Sequence, residues 1–160
     1  MRRLIVTYLL TGLLAGMGYQ NTYADDVYKK IDEAIALSPE YVAQYELKIG
    51  EARHALSTET SADGKFQRNF RLYELYKPFV SDSAMYFLRQ CIQLADGMGN
   101  RSASVRCRSL LAIRCSNIGM YDEALNILDS ISTSSSNLSL IDSLSLGTYY
   151  EAYNNVYSAL

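Results

Sequence analysis

Histidine, cysteine and carboxylate side chains supply most enzyme nucleophiles, bases and metal ligands, and here they are sparse. The single histidine, His54, stands in GEARHAL among charged residues of a helical stretch. A Ser-His or Cys-His pair needs its base beside a nucleophile, and nothing near His54 in the sequence supplies one. Asp25-Asp26, Asp32-Glu33 and Asp122-Glu123 are carboxylates adjacent in sequence. Neighbours on a helix point in different directions, so such pairs do not share a proton, whereas acidic residues in a first turn favour the helix dipole. Gly97 and Gly99 lack both a preceding strand and a G-x-G-x-x-G continuation, which excludes a nucleotide loop. The residues therefore point to a protein that is not an enzyme and needs no cofactor or metal.

Three cysteines, Cys91, Cys107 and Cys115, cannot all be paired within one chain. Cys107 and Cys115 fall on one expected helix, roughly 12 Å apart at 1.5 Å per residue and beyond bond reach. Cys91 could meet one of them across a helix hairpin. The alternative is that all three pack as small apolar side chains. Metal binding would need further ligands at short spacing, and His54 is remote.

The elements around these residues are helical. After residue 25 the apolar residues recur at helical period, with two prolines and no tryptophan in 160 residues. Val27, Ile31, Ala34 and Ile35 stripe a helix over 26–37. Ser38-Pro39 then reads as an N-cap and first helical residue, starting a second helix over 39–57 with Val42, Tyr45, Ile49, Ala52 and Leu56. STETSADG, residues 57–64, is a polar linker. A third helix, 65–79, is apolar on two faces, with Phe66, Phe70, Tyr73 and Val80 along one and Leu72, Leu75, Tyr76 and Phe79 along the other. Such a helix lies between neighbours.

Ser81 or Asp82 is the expected cap of a fourth helix carrying Ala84, Phe87, Leu88, Cys91, Ala95 and Met98. Gly97-Met98-Gly99-Asn100 tolerates the positive φ of a helix end. A fifth helix, 102–118, carries Val105, Leu111, Ala112, Cys115 and Ile118, and Gly119 closes it. A sixth opens at Tyr121-Asp122-Glu123 with Ala124, Leu128 and Ile131. Serine-rich 132–137 is a loop, and a last helix over 138–158 bears Tyr149, Tyr150, Tyr153 and Tyr157.

Placing Ala84 on Ala124 reveals a spacing of 40 residues, with Leu72 on Ala112, Leu75 on Cys115, Leu88 on Leu128 and Cys91 on Ile131. The fold expected is all-α: antiparallel helix hairpins stacked side by side, each burying its neighbour's face.

The N-terminus reads as a leader. Arg2 and Arg3 precede an uncharged apolar run, residues 4–18, and Thr22-Tyr23-Ala24 supplies small residues where a signal peptidase cuts. The run is shorter than the roughly 20 apolar residues of a membrane span. Export is the expectation, with a mature chain from Asp25; a retained signal anchor is the alternative. Without the two arginines, 13 basic residues face 17 acidic ones. That balance argues against a nucleic-acid surface in this segment.

G-M-Y-D-E-A-L, residues 119–125, with Leu128, resembles the turn and second helix of a tetratricopeptide repeat (TPR), and SDSAMYFL, 81–88, resembles the same segment one repeat earlier. The chain departs from that family's usual form in its 40-residue spacing, in lacking Trp-Leu-Gly and in lacking a closing proline. The order of leader, short hairpin, S-D-S-A helix start and G-M-Y-x-E-A-L unit resembles the exported N-terminal part of bacterial membrane-spanning TPR regulators. The resemblance implies a right-handed TPR-like solenoid, on the periplasmic side of the inner membrane. It divides the chain into a leader at 1–24, a helical hairpin at 25–62 and repeats over 63–160, the third repeat incomplete. The chain would then be a fragment, with membrane attachment only through its leader or a transmembrane helix further on.

The resemblance further implies a concave groove lined by the first helix of each pair, which takes a protein or peptide partner. With Leu72 and Ala112 at that helix's small-residue position, the groove residues are Asn69, Tyr73, Tyr76 and Lys77 in one repeat and Arg106, Ser109, Ile113 and Asn117 in the next. Tyrosine and arginine suit such a surface, offering rigid area and directed donors. A free periplasmic scaffold or assembly factor is one alternative. A small-molecule or glycan-binding protein, whose tyrosines stack on sugar rings, is another.

Overall fold

The computed structural model describes the backbone of residues 2–134 and 140–159 and the side chains of 24–132 and 140–159. Six helices follow in order: α1 (Arg2–Ser57), α2 (Ala62–Tyr76), α3 (Ser81–Gly97), α4 (Arg101–Asn117), α5 (Tyr121–Ser134) and α6 (Ser143–Ser158), and no strand occurs among the described residues. The contacts divide the chain into two units, Met1–Glu46 and Leu47–Leu160. In the second, α3 packs on α2, α4 on α3, and α5 and α6 on α4, which is the TPR-like arrangement of adjacent hairpins. The leader lies almost wholly on residues whose side chains are outside the described set, as does most of the serine loop.

The first unit corrects one expectation. The hairpin expected over 25–62 is a single helix, with Pro39 inside α1. Pro39 removes only the N–H that would bond the Ile35 carbonyl, and its neighbours Glu-Ala-Ile-Ala-Leu and Glu-Tyr-Val-Ala-Gln are mostly good helix formers. Every side chain from Asp25 to Gln44 is exposed, so water can take the carbonyl that proline leaves bare. Val27, Ile31, Ile35 and Val42 therefore remain in solvent rather than folding onto a partner helix.

The tail of α1 joins the second unit. Ile49, Ala52 and Leu56 pack against the core, and the Arg53 guanidinium lies 5.7 Å over the Tyr76 ring. Glu59 then organises the linker, its carboxylate accepting the backbone N–H groups of Thr60 and Ser61 and the Ser61 hydroxyl. Ser61 in turn caps α2 by accepting from the Gly64 N–H at 3.0 Å. Asn100 caps α4 in the same way, accepting from Ala103 at 3.1 Å. α3 begins at Ser81, with Val80 at the cap position and no side-chain cap, so neither Ser81 nor Asp82 holds that place.

The 40-residue register is visible in the packing. α3 begins at Ser81 and α5 at Tyr121. Ala84, Ala124, Leu72, Ala112, Cys115, Leu88 and Cys91 are wholly buried, and Leu75, Leu128 and Ile131 nearly so. Two matching turns maintain this repeat. After α3, the Asn100 N–H reaches back to the Ala95 carbonyl at 2.9 Å, with Gly99 at φ 67°. After α4, the Met120 N–H reaches the Cys115 carbonyl at 2.8 Å, with Gly119 at φ 80°. Both are Schellman endings, in which glycine takes the left-handed conformation that a Cβ opposes.

Polar groups fasten the helix ends. Asp96 of α3 accepts from the Ser104 hydroxyl at 2.6 Å and from Arg108 Nη2 at 2.8 Å, both on α4. Arg114 Nη1 donates to the Lys77 carbonyl at 3.1 Å, tying α4 to the end of α2.

Gly119→Ala should lower unfolding free energy by about 1–2 kcal/mol through left-handed strain, with Gly99→Ala similar. Gly97→Ala, at a helical site with open space around its Cβ position, should be neutral or stabilise by up to about 1 kcal/mol. Urea unfolding of the three variants checks this; equal effects at Gly97 and Gly119 would overturn it.

Candidate functional site

The eight groove residues divide by burial. Asn69, Tyr73, Tyr76 and Ser109 are inside, Arg106 and Ile113 are half-buried, and Lys77 and Asn117 are exposed. The buried polar members turn inward for a local reason. Asn69 Nδ2 donates to the Lys65 carbonyl at 2.7 Å, and the Ser109 hydroxyl donates to the Val105 carbonyl at 2.8 Å, each one turn back on its own helix. Tyr76 stacks on Phe87 at 5.5 Å, and burial pushes the Tyr73 phenol up from its ordinary pKa. These four pack the helices together. Arg106 is also engaged, its guanidinium 4.9 Å over the Phe70 ring.

A further exposed cluster lies on α6. Ser145, Tyr149, Ala152 and Val156 are buried, each 40 residues beyond a buried residue of α4: Val105, Ser109, Ala112 and Ser116. α6 thus continues the repeat as another first helix, packed directly on α4. Ser109 is covered at the height where Tyr149 stands one repeat later. The next positions of the same stripe, Tyr153 and Tyr157, are 45% and 47% exposed, and Tyr150 beside them 58%. Their rings form a ladder: Tyr149 to Tyr150 at 5.5 Å, Tyr149 to Tyr153 at 6.4 Å, and Tyr153 stacked on Tyr157 at 4.3 Å. A hydrogen bond with Tyr153, with nearby Tyr153 and Asp129 opposing charge, raises the Tyr157 phenol above its usual pKa. Sequence spacing grouped these tyrosines on one helix. It did not show which of them remain uncovered, because that depends on the neighbours of α6.

The start of α6 is fixed by Asp142. Its carboxylate accepts the Ser145 N–H at 2.9 Å and the Ser145 hydroxyl at 2.8 Å, while the Asp142 N–H donates to Ser102 of α4 at 3.1 Å. The Ser145 N–H foremost, then the Ser145 and Ser102 side chains, lower the Asp142 pKa from 3.8 to about 2 by bonding its carboxylate.

A separate cleft of about 220 Å³ is lined by Asp96, Arg101, Ser104, Val105, Arg108, Ser130 and Ile131. Ligand pockets run from roughly 300 Å³ upward, and the polar groups that line this one include the Asp96–Ser104–Arg108 cluster, which is already satisfied. Among the described residues no group of three His, Cys, Asp or Glu side chains converges as metal ligands. His54 is exposed at the end of α1, its carbonyl accepting from Ser57.

Paired helices, a 40-residue register and small residues at the helix contacts define a tetratricopeptide-type helical repeat, a class of domain that generally mediates protein–protein interaction rather than catalysis. Residues 35–160 match the model of the SusR N-terminal TPR domain, and the chain belongs to that family. No curated protein and no solved structure matches it.

Two expectations test the division between packing and surface. Tyr149→Ala should cost about 3 kcal/mol by emptying a buried site, against about 1 kcal/mol for Tyr153→Ala or Tyr157→Ala, which lose an exposed ring contact. Equal losses would refute it. Asp142 has a folded pKa below its unfolded value, so its contribution is present above about pH 4 and disappears as pH falls toward 2. In urea titrations, the difference between wild type and Asp142→Asn should shrink across that window; a constant difference would contradict the capping role.

Proposed function

We propose that this domain is the exported sensing part of a membrane-bound transcriptional regulator, held on the periplasmic side of the inner membrane. The match of residues 35–160 to the SusR N-terminal TPR domain carries the reading, and the leader-like composition of residues 1–24 supports export. The binding surface is the side of the first helices on which the α6 ladder lies, Tyr150, Tyr153 and Tyr157, with Ile113 and Asn117 at the matching positions of α4. Aromatic rings at fixed spacing give a partner large contact area at little entropic cost. Binding there changes how α6 seats on α4, and that change is passed along the stacked hairpins. A protein or peptide is the favoured occupant.

A glycan is the second reading, and the same ladder favours it, since exposed tyrosine faces stack on the apolar faces of sugar rings. Calorimetric titration with a panel of oligosaccharides separates the two. Heat lost in Tyr153→Ala would favour the sugar, and no heat from any oligosaccharide would favour the protein partner.

Alkaline phosphatase fused after Leu160 should be active in cells and inactive when residues 1–24 are removed. Deleting the gene should change transcription of a discrete set of genes, and the Tyr153→Ala/Tyr157→Ala double variant should reproduce the change. Active fusions with unchanged transcription would leave a periplasmic scaffold and remove the regulator. An inactive full-length fusion would remove the export reading itself.

A further inference from the structure

All three cysteines are wholly shielded from solvent in the core, and all three are unpaired thiols in this structure. Two of them stand level across a hairpin. Cys91 stands eight residues before Gly99 and Cys107 eight residues after it. In an antiparallel hairpin that turns at Gly99, the two lie at the same height, about 12 Å along each helix at 1.5 Å per residue. Both side chains are wholly buried on the packed helices α3 and α4, and Cys107 is the group that most perturbs the Cys91 thiol. Cys91 Sγ also lies 3.7 Å from the Phe66 carbonyl of α2, which helps hold the thiol in place. Cys115, two turns further along α4, is about 12 Å from Cys107 and beyond bond reach.

We propose that Cys91 and Cys107 are a dithiol–disulfide site, and that their bond fastens the second helix of one repeat to the first helix of the next. The step is thiol–disulfide exchange with a small-molecule disulfide or a disulfide-bearing oxidoreductase. A thiolate of the pair attacks the oxidant's disulfide, releasing one thiol and leaving a mixed disulfide. The second thiolate then displaces the other half. Two S–H bonds are lost, one S–S bond forms, and the two electrons and two protons leave with the oxidant as two thiols.

The chemistry needs a thiolate. In the folded core, Cys107 and then burial hold the Cys91 thiol far above the usual range. The exchange therefore belongs to folding, while the α3–α4 hairpin is still open to solvent, and the closed core then protects whichever state it encloses. The pairing rests on the geometry of this hairpin; the export reading supplies only the oxidising compartment in which such bonds persist.

The oxidised bond ties positions 16 residues apart and restricts the unfolded chain, which should raise the thermal midpoint by roughly 10 °C. The test refolds the full chain, reduced and denatured, in a buffer of oxidised and reduced glutathione. Alkylation of the remaining thiols and peptide mapping by mass spectrometry follow. The expected product has one intramolecular bond joining the Cys91 and Cys107 peptides, with Cys115 alkylated and a midpoint that falls by that amount on reduction. Cys115→Ser should keep both the bond and the redox-dependent shift, and Cys107→Ala should lose both. Because each midpoint is compared between oxidised and reduced forms of the same chain, a variant that folds poorly does not decide the matter. Three alkylated cysteines in the wild-type chain after refolding, a bond involving Cys115, or a midpoint unmoved or lowered by oxidation would overturn the proposal.

Discussion

One helix, α4, packs on three others, α3, α5 and α6, and the rest of the second unit is arranged around that requirement. A helix covered on so many sides cannot use one apolar stripe. Its buried residues, from Cys107 through Leu111, Ser104, Cys115, Ala112 and Ser116 to Ser109, extend over roughly 200° of its circumference at 100° per residue. Most are small. Alanine, serine and cysteine let neighbouring helices approach closely, and large side chains on all these faces would push the neighbours apart at a cost of about 1–3 kcal/mol each. Bulk comes instead from the partners: Phe87 and Leu88 on α3, Leu128 and Ile131 on α5, Tyr149 and Val156 on α6.

That distribution explains what the sequence could and could not disclose. The large apolar residues of α3 and α5 recur at helical period on one face, so their hairpins, their 40-residue register and their shared identity as repeats could be read directly. α4 was legible only in part. Val105, Leu111, Ala112 and Cys115 were expected inside and are, but Ile118 is exposed, and Ser104, Ser109 and Ser116 are buried. A serine in a helix usually reads as surface. Here its hydroxyl bonds within α4 or to Asp96 and loses little by burial, as Ser109 and Ser104 show. Whether such a residue is inside is decided by the neighbour that covers it, and single-helix periodicity carries no information about that neighbour.

Four of the eight groove residues are buried, and the sequence did not show this for the same reason. Asn69, Tyr73, Tyr76 and Ser109 occupy positions that face outward from a first helix only if the next first helix leaves them open. In this chain the helices sit closely enough to cover them. Lys77 and Asn117 stay uncovered, as do Tyr153 and Tyr157 on α6, which extend past Tyr149. The N-terminal hairpin was misread in a different way. Ser-Pro is a strong local signal for a helix start, yet local signals are weak beside a long run of good helix formers with exposed carbonyls. Pro39 therefore sits within α1 rather than beginning a new helix.

The same crowding extends to α6, which packs directly on α4, whose buried side chains are mostly small. α4 is fastened to α3 near the turn, where Asp96 holds Ser104 and Arg108. At the far end, Arg114 grips the carbonyl of Lys77, so α4 also carries the end of α2. The small residues of α4 are what let three helices pack on it this closely.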